Sequence, residues 1–117
     1  MASPEISPRK IDPHKAAEEG NLDDIKAYIK QKGLLDKRDT ERWTPLMIAV
    51  RQGHLDIAKA LLRSGASVEA KECDRWTALH VAAANGQPLC AKLLLDRGAN
   101  PRVRDANNRT PLHWACR

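Results

Sequence analysis

The sequence predicts an all-α solenoid, a row of stacked helix-turn-helix units joined by projecting loops or β-hairpins, and three observations predict it. The stretches at 42–50, 75–83 and 108–116 read RWTPLMIAV, RWTALHVAA and NRTPLHWAC, so Thr44, Thr77 and Thr110 recur at one constant interval, as do Leu46, Leu79 and Leu112. Glycines keep the same pitch, Gly20, Gly53 and Gly86 in one series and Gly65 and Gly98 in another. Between the glycines, apolar residues stand at i, i+4 on one helical face, as in the pairs Ile57/Leu61 and Ala58/Leu62, then Cys90/Leu94 and Ala91/Leu95.

Each unit can be read in order. Thr44 and Thr110 are placed to cap a helix with a side-chain hydroxyl, and Pro45 and Pro111 occupy the first helical position, where no backbone N–H is needed. The middle copy has Ala78 in place of proline, which a helix tolerates. The short helix then presents Leu46, Ala49 and Val50, or Leu79, Ala82 and Ala83, to a neighbour. Gly53 or Gly86 closes it in the left-handed conformation. A second helix runs to Gly65 or Gly98, with Pro88 harmless in a first turn. The intervening segment, such as ASVEAKECDRW, is polar and turn-rich and suits an extended loop.

These residues resemble ankyrin repeats: TPLMIA, TALHVA and TPLHWA, with GHLDIAKALLRSGA between them, match the family's T-P-L-H-x-A signature and its repeat length of about 33 residues. The resemblance covers 11–117. It divides the chain into a disordered leader at 1–10, an N-terminal capping unit at 11–38, full units at 39–71 and 72–104, and a partial unit at 105–117. Lys15 stands where the next copies have Ile48 and Val81, and Asp24 stands where they have Ile57 and Cys90, as a capping face requires. The sequence stops partway along a first helix, so a piece of a longer array is expected. Against the family's D-x-x-G turn, the last turn position is Arg42, Arg75 and Asn108. Asparagine accepts positive φ at small cost, but arginine does not, so the first two turns are expected to be rearranged.

Lys plus Arg number 20 and Asp plus Glu 15, a formal excess of five that favours acidic partners without demanding a polyanion. Three cysteines without C-x-x-C spacing argue against a disulfide framework and a zinc site, and predict an intracellular protein, cytoplasmic or nuclear. No apolar run is long enough to span a membrane. His80 and His113 stand on equivalent positions of stacked units, roughly 10 Å apart, too far to share one metal ion. They are expected to bond within and between units. His14 and His54 are expected to face solvent. Cys90 and Cys116 fall on core positions, whereas Cys73 falls in a loop. No catalytic triad, carboxylate pair or phosphate-binding glycine loop is present, so neither an enzyme nor a cofactor is expected.

What the resemblance implies about function is a partner protein held by loop tips and the inner face of the first helices. On this chain that surface comprises Thr40, Glu41, Trp43, Arg51, Gln52 and Lys71 in one unit. Cys73, Asp74, Trp76, Asn85 and Arg104 follow in the next, and Asn107 and Arg109 in the last. Trp43 and Trp76 read equally well as packing and as contact residues, while Trp114 reads as packing. Arg51, Lys71, Arg104 and Arg109 outnumber Glu41 and Asp74, so an acidic segment is the expected partner. The alternatives are a polyanion binder, nucleic acid or anionic lipid, against which the scattering of basic residues among acids argues, and a substrate-recruiting piece of a longer enzyme. Ser7, in the context Ser-Pro-Arg-Lys, matches a proline-directed phosphorylation site.

Overall fold

The structure, a computed structural model, describes residues 11–115, with only the backbone of Trp114 and Ala115. The leader, Ser7 and Cys116 lie outside the described residues, as does the side chain of Trp114. Seven helices are described: α1 (Pro13–Glu19), α2 (Leu22–Lys30), α3 (Pro45–Gln52), α4 (Leu55–Arg63), α5 (Ala78–Ala84), α6 (Pro88–Asp96) and α7 (Pro111–Ala115). No strand occurs among the described residues, and the projecting segments are loops closed by turns.

Two rows of helices result. α1, α3, α5 and α7 touch one another in chain order, α2, α4 and α6 form the second row, and each unit is an antiparallel pair bridging the two. The core lies between the rows. Ile25, Leu46, Met47, Val50, Ile57, Leu61, Val81 and Leu94 are fully buried there. Alanines at 16, 17, 49, 58 and 82 are buried as well, and their small side chains let the helices approach closely.

The ends of the helices follow from named residues. Thr44 Oγ1 accepts the Met47 N–H at 3.3 Å ahead of Pro45. In the first unit the cap is Asp12, whose carboxylate accepts from the N–H groups of His14 and Lys15, with Pro13 at the first helical position. That cap falls one position later than the repeat pitch, counted back from Thr44, would place it. Gly20 and Gly53 both take φ of 76° at the ends of α1 and α3. Each also sits beneath a side chain from the next unit. A Cβ on Gly20 would approach the His54 ring to 2.9 Å, and one on Gly53 would approach Gln87 to 2.8 Å.

Three expectations need correction. His54 is half-buried rather than solvent-facing, because its Nε2 donates to the Glu18 carbonyl at 3.2 Å. Gln87, one period on, does the same to the Arg51 carbonyl at 3.2 Å. Leu95 is 45% exposed although it matches the buried Leu62, and Ala83 is only half-buried. Both belong to the unit followed, among the described residues, only by α7, and no second-row helix beyond α6 is described that would cover Leu95. Of the polar residues in the first unit, Lys15 is exposed and Asp24 half-buried.

Candidate partner-binding surface

The surface is built from three equivalent turns, at 39–43, 72–76 and 105–109. In each, the first residue's backbone N–H donates to the carbonyl of the last, Asp39 to Trp43, Glu72 to Trp76 and Asp105 to Arg109, all at 3.0 Å. A carboxylate then completes the turn from inside. One oxygen of Asp39 accepts the N–H groups of Glu41 and Trp43, both at 2.9 Å. Glu72 takes those of Asp74 and Trp76 at 2.6 and 3.0 Å, and Asp105 those of Asn107 and Arg109, both at 2.9 Å. Glu72 and Asp105 are buried.

This bracing corrects the expectation of rearranged turns. Arg42 and Arg75 take φ of 68° and 64°, alongside 61° at Asn108, so all three turns are alike. Left-handed backbone costs a non-glycine residue roughly 1–2 kcal/mol, and several hydrogen bonds per turn together exceed that cost. The arginine side chains are left exposed.

Long side chains tie neighbouring turns together. Arg38 Nη1 donates to the Arg42 carbonyl at 3.2 Å and to the Lys71 carbonyl of the next unit. Arg104 Nη1 repeats the first of these contacts on the Asn108 carbonyl at 3.2 Å.

Histidines pin the turns to the helices behind them. His14 Nε2 donates to the Trp43 carbonyl at 2.8 Å, and His80 Nε2 to the Arg109 carbonyl at 2.9 Å. His14 is therefore not solvent-facing. Its side chain is 13% exposed, with Asp12 3.7 Å from Nδ1. A carbonyl only accepts, so Nε2 carries the proton in both rings, and in neutral His80 the bare Nδ1 accepts the Thr77 N–H at 3.2 Å. Burial, as the largest cause, pushes the His80 pKa below the ordinary histidine range, despite the opposing Arg109 hydrogen bond. His113 is exposed.

Trp43 and Trp76 are both half-buried and pack on the core. Their outer contacts differ. The Trp76 indole N–H donates to Asp105 Oδ2 at 3.1 Å, and its ring stacks on His80 with centroids 6.0 Å apart. Trp43 lies beneath the Arg51 guanidinium, 4.9 Å from the ring centroid. Thr40, Glu41, Gln52, Cys73, Asp74, Asn85, Arg104, Asn107 and Arg109 are exposed, and Lys71 is half-buried. The turns thus gather most of the expected surface onto one ridge, with Gln52 and Asn85 at the ends of the first-row helices. Sequence reasoning missed Arg38, Arg42 and Arg75 as members of the ridge, and it missed the carboxylates at 39, 72 and 105. Their recurrence once per unit was the available signal.

The family model described as ankyrin repeats (3 copies) matches residues 13–105 and 71–117. The chain belongs to the ankyrin-repeat family. Ankyrin repeats are generally protein-protein interaction modules, typically without enzymatic activity. No curated protein matches the chain. Among the described residues of this ankyrin-repeat chain, no helix is long and apolar enough to cross a membrane, and no three His, Cys, Asp or Glu residues are gathered as metal ligands. Cys90 is buried, and desolvation pushes its thiol pKa up, which makes it a poor nucleophile.

Proposed function

We propose that this chain is a non-enzymatic intracellular scaffold whose ridge of turn tips, with the adjoining first-row helices, holds an acidic segment of another protein. The observation that carries the reading is the unequal use of charge on the ridge. Asp39, Glu72 and Asp105 each commit an oxygen to the turn backbone, while Arg42, Arg75, Arg104 and Arg109 stand exposed. At the exposed positions of the ridge, Arg38, Arg42, Arg75, Arg104 and Arg109 outnumber Asp39, Glu41 and Asp74.

A repeat array suits this task because it extends a surface without needing a pocket. Exposed Glu41 and Asp74 lie among the arginines and count against nucleic acid, which binds through dense, uninterrupted positive charge.

The test is affinity capture with the chain and its Lys71→Glu/Arg104→Glu variant as paired baits. The reading predicts captured proteins carrying acidic segments that the variant fails to retain. Equal capture by both baits, or capture dominated by nucleic acid that is lost steeply with salt, refutes it.

A further inference from the structure

The cations of the ridge are not merely numerous; they are spaced. Arg38, Lys71 and Arg104 recur once per unit at the same register, and Arg42 and Arg75 repeat beside the first two. The hydrogen bonds hold this arrangement in place. Arg38 is fixed against the Arg42 carbonyl and reaches to the Lys71 carbonyl, and Arg104 is fixed against the Asn108 carbonyl. These basic side chains therefore form rungs at the pitch of the stacked units, which for packed helices is about 10 Å. Among the described residues, no carboxylate lies within 4.0 Å of Arg38, Arg42, Lys71, Arg75 or Arg104 to form an ion pair.

We propose that the ridge reads spacing: it binds an unfolded acidic segment in polyproline II conformation, with a carboxylate at every third residue facing a successive rung. This deepens, and rests on, the reading that the partner segment is acidic. Polyproline II has three residues per turn and rises about 3.1 Å per residue, so every third side chain returns to one face after roughly 9.3 Å. That length matches the rung pitch. A β-strand fails the same requirement, because residues three apart point to opposite faces. Acidic segments of low hydropathy remain unfolded, and polyproline II is a major conformer of unfolded chains, so little ordering is needed on binding.

Two features of the ridge sharpen the match. Exposed Glu41 and Asp74 each precede an arginine and alternate with the rungs, so they repel uniformly dense negative charge but leave room for spaced carboxylates. The arginines at positive φ add a second indication. Glycine would adopt the conformation of residues 42 and 75 with less strain, and neither arginine side chain makes a hydrogen bond or ion pair among the described residues. Their charge has no use inside the fold.

The experiment compares two synthetic peptides titrated onto the full 117-residue chain at low ionic strength. One repeats Glu-Pro-Ala, and the other has the same composition with its glutamates in a single run. The spaced peptide is expected to bind about tenfold more tightly, the sum of several exposed ion pairs made at once. Arg42→Gly/Arg75→Gly should reduce that binding about fivefold to tenfold while its melting temperature holds or rises, which separates recognition from folding. Equal binding of the two peptides overturns the spacing proposal but leaves an acidic partner standing. Failure of both peptides to bind removes the acidic partner as well. Unchanged binding by the folded double-glycine variant also overturns the ladder, as does tighter binding of single-stranded DNA than of the spaced peptide.

Discussion

The joint around Met47 and the joint around His80 occupy the same place in successive units, yet they are held by different forces. His80 is fully buried and bonds both to the Arg109 carbonyl ahead and to the Thr77 N–H behind, while Trp76 beside it reaches Asp105. Met47 is equally buried but offers only a thioether, so at this position the joint between 39–71 and 72–104 rests on apolar packing. The fold needs a side chain of that length at that place. Directional hydrogen bonds are an addition, and they fix how the third turn sits on the helix behind it.

Four comparisons probe that contrast. The largest effect is expected from His80→Met, which copies the apolar joint but leaves the buried Thr77 N–H without its acceptor and the Arg109 carbonyl with the Asp105 N–H alone, and should cost about 2 kcal/mol in urea unfolding. Met47→Leu, which breaks no hydrogen bond, should cost less than about 1.5 kcal/mol. If the two cost the same, the polar joint has no special standing.

Next, Trp76→Phe takes a hydrogen bond from the buried Asp105 carboxylate and should cost about 1.5 kcal/mol. Trp43→Phe keeps an aromatic face under Arg51 and should cost a few tenths to about 1 kcal/mol. Thermal or chemical unfolding of the two variants side by side decides this.

The third effect is on acid stability. Because burial lowers the His80 pKa in the folded state, the unfolded chain binds this proton first as pH falls. Stability from this group is therefore complete above the unfolded value of about 6.5, and is lost as pH drops from there through the folded value. His80→Met should flatten that part of the stability-pH curve, and an unchanged slope would show that another group is responsible.

The smallest effect has the opposite sign. Arg42→Gly and Arg75→Gly relieve positive φ and should each stabilise the fold by about 0.5–1 kcal/mol, the difference between left-handed strain and glycine's added chain entropy. Equal gains at both sites would show that the turns are independent of the joint behind them, whereas unequal gains would tie each turn to its own joint.

Most of the architecture was legible because it is written in short-range rules repeated at one pitch: a capping threonine, a proline at the first helical position and a closing glycine. The capping role of Asp12 was hidden because α1 starts one residue later than the repeat register implies, so a search for threonine or serine passed over it. His14 was misplaced for a different reason. It stands one full period before Met47, but its neighbours Asp12, Pro13 and Lys15 resemble no other copy, so its role could be read only from the Trp43 carbonyl it meets.

The turns were misjudged because intrinsic preference was weighed without the carboxylate at position 39, 72 or 105. Its bonds to two backbone N–H groups hold the arginine conformation from the inside. Of the candidate surface, the loop positions could be placed from sequence. What each tryptophan touches could not, since Trp43 and Trp76 differ through Arg51, at the far end of the following helix, and Asp105, in another unit.

The seating of His54 over Gly20, and of Gln87 over Gly53, has a bearing on how such a chain can change length. An insertion at a turn tip only lengthens an overhang, but one placed between Gly53 and His54 parts a socket from the plug beside it and shifts one of them out of place. Exchange of modules between related arrays should therefore succeed when the incoming module brings a side chain that fits the glycine of the unit before it, and fail when it brings none.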